Sequence, residues 1–362
     1  MSRYICDTLA SLAVYTPGEQ PQGREYIKLN TNESPYPPTP GVISAAGKAA
    51  NTLNLYCDPE CRALREAAAE SFGVSPENVL PVNGSDEILY FAFRAFGGAG
   101  RSAVFADITY GFYPVYAAVT GTAAVIKPLK PDYTLDPSDY IGADGTVFIA
   151  NPNAPTGIAL PVSELERIIA GNPDNVVVID EAYVDFGAES CIGLIRKYRN
   201  LLVTRTFSKS HSLAGARLGF GVASEELIAD LNKVKYSLNP YNVNSITQAI
   251  GIAAFRDGET FDSYCKKTAE VRGYLCSELV SLGFSVLPSS ANFVFAEKDG
   301  MSGEELYICL KERGVLVRHF ASPRINDRLR ITVGTREQTD KLIAALKDVL
   351  SRKDCDYENV GN

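Results

Sequence analysis

A lysine, an aspartate and an arginine carry the chemistry that this sequence can perform. Lys209 sits in Arg205-Thr206-Phe207-Ser208-Lys209-Ser210, just after the apolar run Leu201-Leu202-Val203-Thr204. That run is short and β-branched, and reads as a buried strand. A lysine leaving a buried strand can be held partly desolvated, which lowers its pKa and frees its amine as a nucleophile. Asp180 follows a second apolar run, Val176-Val177-Val178-Ile179, and opens the segment Asp180-Glu181-Ala182-Tyr183. Ligands of α/β proteins sit at the carboxyl ends of parallel strands, so Asp180 and Lys209 are expected at one crevice. Arg217 lies a short loop beyond the lysine, in Gly215-Ala216-Arg217-Leu218-Gly219. Its planar fork suits a phosphate or a carboxylate. Upstream, Asn83-Gly84-Ser85-Asp86-Glu87 joins an apolar run to an apolar helix. Such a turn exposes backbone N–H groups to an anion, and glycine lets the backbone come close. Simple N-capping by Ser85 or Asp86 would use the same residues without a ligand.

These groups need a scaffold, and the hydrophobic pattern supplies one. Strands are expected at 79–82, 102–106, 123–126, 146–150, 176–179, 201–204 and 220–223, with helices near 42–51, 62–72 and 88–95. A long helical stretch from about 258 to 282 then leads into a second, smaller unit. There the expected strands are 284–287, 292–296, 315–318 and 330–333, before a final helix from Arg336 to Arg352 with leucines and alanines on one face. Arg330 lies inside one of these strands, which is uncommon unless a ligand or carboxylate matches the charge. Tyr15-Thr16-Pro17-Gly18-Glu19-Gln20-Pro21 holds too much proline and glycine for a helix and reads as an extended, ordered arm. Gly97-Gly98-Ala99-Gly100 precedes a strand instead of following one, which argues against a dinucleotide loop.

A chain of 362 residues can bury a large core and is expected to hold two domains. Its net charge of −8 argues against a nucleic-acid surface. No apolar stretch reaches the length of a membrane span, and the segment from Met1 to Asp7 does not read as a signal peptide. The 8 cysteines are scattered and there are only 2 histidines, His211 and His319, so no metal site is expected. Reduced thiols in a cytoplasmic protein are the better reading.

Taken in order, six stretches form a series. They are Gly84-Ser85-Asp86-Glu87-Ile88-Leu89, Asn151-Pro152-Asn153-Ala154-Pro155-Thr156-Gly157, Asp180-Glu181-Ala182-Tyr183, Arg205-Thr206-Phe207-Ser208-Lys209, Pro240-Tyr241-Asn242-Val243-Asn244 and Leu329-Arg330-Ile331-Thr332-Val333-Gly334-Thr335. Over nearly its whole length the chain resembles the fold-type I, class I/II aminotransferases, and more narrowly their histidinol-phosphate branch. The resemblance implies an α/β fold, with a large domain (41–250) built on a mostly parallel seven-stranded sheet between helices. It also implies a small α+β domain (251–362) and an N-terminal arm (1–40) folded over the active site.

The cofactor implied is pyridoxal 5′-phosphate (PLP), with Lys209 as its Schiff-base lysine and Asp180 beside the pyridine nitrogen, keeping it protonated. Tyr183 would hydrogen-bond the phenolic oxygen, and Tyr110 would stack on the ring. Gly84, Ser85, Asp86, Thr206, Ser208 and Arg217 would hold the phosphate. Tyr56 would reach the phosphate of the other subunit in a homodimer, with a packing role as the alternative. The usual family form has asparagine directly before Pro-Thr-Gly, where this chain has Ala154. Either Asn153 takes over its bond to the phenolic oxygen, or Tyr183 holds that oxygen alone. Tyr15, Asn32, Arg330 and Arg318 are implied on the substrate side, with a structural salt bridge as the alternative for Arg318. His211 reads as a structural histidine. The activity implied is ping-pong transamination of L-histidinol phosphate with 2-oxoglutarate, giving imidazole acetol phosphate and glutamate, with Lys209 as general base and acid. An aromatic amino acid aminotransferase, or a lyase resembling threonine-phosphate decarboxylase, would use the same scaffold.

Overall fold

Seven short apolar runs assemble into the sheet that carries the site. The computed structural model describes residues 2–10, 12, 15–21 and 23–351. Arg352, the expected end of the last helix, and the expected extension of the small domain to 362 lie outside the described residues, as do arm positions 1, 11, 13, 14 and 22. In chain order the strands are β1 (Ile27–Lys28), β2 (Val79–Val82), β3 (Ser102–Ala106), β4 (Ala124–Lys127), β5 (Gly145–Ala150), β6 (Val177–Asp180), β7 (Leu201–Thr206) and β8 (Gly219–Ala223). They continue with β9 (Phe284–Val286), β10 (Phe293–Lys298), β11 (Val315–Leu316), β12 (Arg318–His319) and β13 (Arg328–Thr332). The α-helices are α1 (Asp7–Ala10), α2 (Pro40–Ala49), α3 (Arg62–Phe72), α4 (Ser85–Phe96), α5 (Tyr113–Thr120) and α6 (Val162–Ala170). After them come α7 (Glu225–Leu238), α8 (Ser245–Phe255), α9 (Gly258–Ser281), α10 (Gly303–Glu312) and α11 (Arg336–Ser351).

The large sheet has the order β2-β8-β7-β6-β5-β3-β4. Strands β7, β6, β5, β3 and β4 run parallel, and β8 is antiparallel to both of its neighbours. Every residue of β2, β5, β6, β7 and β8 is buried, which is why these segments read as continuous apolar runs instead of alternating ones. One face packs on α4, α5 and α7 through Phe91, Phe93, Phe148 and Leu231. The other packs on α6 through Leu165, Ile168 and Ile169, and near the β2 edge on α3 and α8.

A second sheet, β12-β13-β10-β9, is antiparallel and is covered by α9, α10 and α11. The expected strand 315–318 is in fact two. Val315 and Leu316 form a parallel pair with Ile27 and Lys28 of the arm, whereas Arg318 and His319 join the antiparallel sheet. The arm supplies backbone partners that a local reading of 315–318 does not reveal, and capturing them splits the run. The segment 15–21 is neither helix nor strand. Among the described residues no helix is long and apolar enough to cross a membrane.

Candidate active site

Strands β6 and β7 are neighbours in register, with Asp180 opposite Thr204. That pairing brings the aspartate and the loop after β7 together at the carboxyl edge of the sheet. Thr204 Oγ1 donates to Asp180 Oδ1 at 3.0 Å, and the Tyr113 hydroxyl donates to Oδ2 at 3.0 Å. Burial pushes the Asp180 carboxyl up to about 6, against the opposing pull of those two bonds. Strand β7 runs on to Thr206, two residues beyond its expected end, so Lys209 leaves the sheet three residues later. Its Nζ donates to the Thr31 carbonyl at 3.2 Å and lies 5.9 Å from the centroid of the Tyr183 ring. Behind the sheet, buried Arg205 pairs with Glu181 at 3.3 Å and with Asp185. This ion cluster fixes the turn that presents Tyr183, whose ring also meets Phe293 edge-on at 5.0 Å.

Asp180, Tyr183, Lys209, Thr206, Ser208, Tyr110, Ser85, Asp86 and Arg217 all line one inner chamber of ≈ 100 Å³. One end of it is an anion cradle. Helix α4 starts at Ser85, and its first amides have no partners within the helix. Arg217 donates to Asp86 Oδ2 at 3.0 Å and to Ser208 Oγ at 3.3 Å. Its backbone is left-handed (φ 54°), a sparsely populated conformation for a side chain of this size. Gly84 has φ +78°, which calls for glycine, and a Cβ there would lie 2.5 Å from Arg217 Nη2 and push the guanidinium aside. The turn is held from below by Glu87, which accepts from the Asn83 amide at 2.6 Å and from Asn242 Nδ2 at 2.5 Å. Tyr110 donates to Asp86 Oδ1 at 2.6 Å, and burial raises its phenol well above the usual value.

An outer chamber of ≈ 580 Å³ adjoins the first and shares Tyr110, Ala154, Tyr183 and Lys209 with it. Tyr15, Asn32, Arg318 and Arg330 line this outer space. Tyr15 stacks on Phe112 with ring centroids 4.2 Å apart. Among the described residues Arg318 makes no ion pair; its guanidinium donates to the carbonyls of Thr16 (3.0 Å) and Pro17 (3.2 Å) and ties down the arm. Arg330 lies over Phe293 and Phe320 and donates to the Asn30 carbonyl at 3.1 Å, while its buried Nε has no partner among the described residues. Burial lowers its pKa below the usual value, the mark of a cation short of a counter-ion.

Three of the expected residues do not line this chain's own chambers: Gly84, which backs the cradle, and Asn153 and Tyr56. Asn153 lies outside the inner chamber, because its Nδ2 is spent on the Ile108 carbonyl (2.9 Å) and Thr156 Oγ1 (3.1 Å), while Thr109 donates to its Oδ1. It braces a loop and does not replace the amide missing at Ala154. Tyr56 is 84% exposed and stacks on Tyr241 at 4.6 Å. His211 stacks on Phe207 at 3.7 Å and on Phe261 at 4.3 Å, and burial depresses its imidazole to about 4. Tyr113 and Thr204 are the functional groups that local reading passes over. Tyr113 reads as core, and it is fully buried, yet its hydroxyl holds Asp180. For Thr204 the available signal was a hydroxyl at the end of an otherwise apolar run.

The model of the family described as aminotransferase class I and II matches residues 24–346. A histidinol-phosphate aminotransferase of Marinomonas sp. (strain MWYL1) is 47% identical over 351 residues, 96% of this chain and 99% of that protein. One from Brachyspira hyodysenteriae is 46% identical over 97% of this chain and 99% of its own length. The crystal structure of histidinol-phosphate aminotransferase from Sinorhizobium meliloti in complex with pyridoxal-5′-phosphate superposes with a TM-score of 0.87 at 27% identity, covering 97% of this chain and 98% of that one. With that family model matching residues 24–346 and relatives 46–47% identical over nearly all of its length, the chain belongs to the class I and II aminotransferase family.

Proposed function

We propose that this protein is a PLP-dependent aminotransferase that moves the amino group of L-histidinol phosphate to 2-oxoglutarate. The observation that carries this reading is the pairing of two chambers. The inner one combines an amine, a buried carboxyl and an anion cradle, and the outer one holds a desolvated arginine with an unpartnered Nε. The residues fit the cofactor. The amides of α4, Arg217 and Ser208 would hold its phosphate, Asp180 its ring nitrogen, Tyr183 its phenolic oxygen and Tyr110 the face of its ring. When bound there, PLP supplies an electron sink for charge that develops on the substrate carbon.

The chain's own groups do the rest. Lys209 Nζ anchors the cofactor and then carries a proton away from the substrate carbon as general base. Arg330 takes the anion of either substrate, the phosphate of the donor or the carboxylate of the acceptor, because both match its fork. The arm around Tyr15 closes the outer chamber against water, held there by Arg318. We assign the arm to 1–40, the large domain to 41–250 and the small domain to 251–362, with a cytoplasmic homodimer as the working form in which Tyr56 serves the partner's site.

The test is a half-reaction without an oxo acid, followed through the cofactor's visible band. Histidinol phosphate, phenylalanine, tyrosine and O-phosphothreonine are offered separately to the holoenzyme. The band is expected to bleach fastest with histidinol phosphate and to return with 2-oxoglutarate. Fastest bleaching with phenylalanine or tyrosine would move the substrate to the aromatic class. Carbon dioxide release from O-phosphothreonine would replace transamination with a lyase reaction.

A further inference from the structure

Asn32 belongs to three parts of the molecule at once. It sits in the arm segment after β1, its backbone amide donates to Thr332 Oγ1 of β13 at 2.9 Å, and its Nδ2 donates to the Tyr183 hydroxyl at 3.0 Å. Thr332 Oγ1 in turn lies 2.9 Å from Asn32 Oδ1. The structure holds the following arrangement of donors and acceptors. Thr332 Oγ1 accepts the Asn32 backbone N–H and sends its own proton to Oδ1. The oxygen of the Asn32 amide thus faces Thr332 and the nitrogen faces Tyr183. The Tyr183 oxygen then accepts from Nδ2, and its own proton is left to turn elsewhere. Tyr183 borders both chambers.

All three residues are buried, Asn32 to 1%, Thr332 to 3% and Tyr183 to 8% exposure. Asn32 holds a left-handed backbone (φ 55°), which asparagine, aspartate and glycine tolerate best. A second contact between the arm and the small domain reinforces the arrangement, because Asn292 Nδ2 donates to the Asn32 carbonyl at 3.0 Å. Arg330 stands two residues before Thr332 on the same strand and grips the Asn30 carbonyl.

We propose that Thr332 and Asn32 form a positioning relay that turns the Tyr183 hydroxyl proton into the inner chamber, toward the phenolic oxygen of the cofactor. The inference rests on the PLP reading above. It assigns to Asn32 an action through Tyr183, in a chain whose Ala154 and outward-held Asn153 leave that task to no other side-chain amide seen on Tyr183 among the described residues. It also ties the orientation of Tyr183 to the strand that carries the anion-binding arginine. Charged groups facing Tyr183 are Lys209, at 5.9 Å from its ring, Arg330 across the outer chamber and Asp180 on the inner wall. None of them is altered in the variants below.

A donated hydrogen bond favours the deprotonated, charged form of the oxygen that receives it, so losing the bond moves the titration of the bound cofactor's visible band to higher pH. Holoenzymes of the wild type, Asn32→Asp, Asn32→Gly, Thr332→Val and Thr332→Ser are titrated by absorbance. Cofactor dissociation constants and melting temperatures are measured on the same samples. Asn32→Asp keeps the shape but offers only acceptors, and should capture the Tyr183 proton and raise the midpoint by about one pH unit. Asn32→Gly tolerates the backbone and should shift it in the same direction, Thr332→Val should do so less, and Thr332→Ser should restore the wild-type value. An unmoved midpoint in both Asn32 variants with cofactor bound overturns the relay, even if their melting temperatures fall, since that marks a merely structural role. A wild-type chain that takes up no PLP overturns the functional reading and the relay together.

Discussion

Asp180 shows how one buried carboxyl can be poised for a cationic partner. Its value in the folded chain is about 6, above the ordinary 3.8 expected when unfolded. The folded state therefore binds its proton more tightly. That contribution to stability is complete below about pH 4 and is lost as pH rises through about 6. His211 works in the opposite sense, because burial holds it near 4, so its contribution is present above its usual value and is lost as pH falls through 4. Comparing wild type with Asp180→Asn cancels the histidine. In the cofactor-free protein the melting temperature of Asp180→Asn should gain on that of wild type between pH 4 and pH 7, by the few degrees that about 2 kcal/mol produces in a chain of this size. The same variant should bind the cofactor more weakly and turn over far more slowly. A constant difference across that range would show that Asp180 is not desolvated. At this scale Lys209, Asp180, Tyr183 and Arg217 were expected at one crevice from the ordered series of motifs, and all four line one chamber. Tyr113 was not, since only the packing of α5 under β6 turns a core tyrosine into a partner of Asp180.

Among the elements, the junction of β2, α4 and β8 builds the anion cradle. Gly219 on β8 would place a Cβ 2.6 Å from Ser85 N, so the strand presses directly against the start of the helix. Gly84 is under a double constraint, of conformation and of space. Gly84→Ala should weaken cofactor binding roughly tenfold to a hundredfold, the equivalent of about 1–3 kcal/mol of strain and displacement of Arg217. Gly98→Ala is the control, since Gly98 also has positive φ (+110°) but nothing within 4 Å of a built Cβ. It should lose stability without losing cofactor affinity. Equal loss of affinity in both, read from cofactor dissociation constants, would remove the steric argument. The strands of the large sheet were legible to within a few residues, because buried parallel strands carry an unbroken apolar signature. The run 315–318 was not, because half of it is claimed by the arm.

For the molecule as a whole, one group of exposed apolar side chains surrounds Tyr56. Leu53, Leu55 and Tyr56 are 56%, 65% and 84% exposed on adjoining turns, and Ile43 on the nearby helix α2 is 60% exposed. Such patches mark interaction surfaces, and two-fold dimers are the commonest assembly. If Tyr56 completes the partner's site, mixing unfolded Lys209→Ala and Tyr56→Ala chains and refolding them together should restore activity. Random pairing leaves about one quarter of the sites with both groups intact. Light scattering should report a dimer, and no recovered activity from a mixture shown to contain hybrid dimers would place both residues in one subunit's work.

The sequence by itself determined the sheet, the residues at its carboxyl edge and the family, because buried strands have local signatures and six ordered motifs carry the family resemblance. Only the tertiary structure decided which groups hold those residues in position. Asn153 and Asn32 are both asparagines in short polar turns, and nothing in their immediate neighbours tells them apart. The first is spent on the carbonyl of Ile108 and the second reaches the hydroxyl of Tyr183. Their partners lie 45 and 151 residues away along the chain. A side-chain amide has no preference among such partners until the chain has folded and placed one of them within three ångströms.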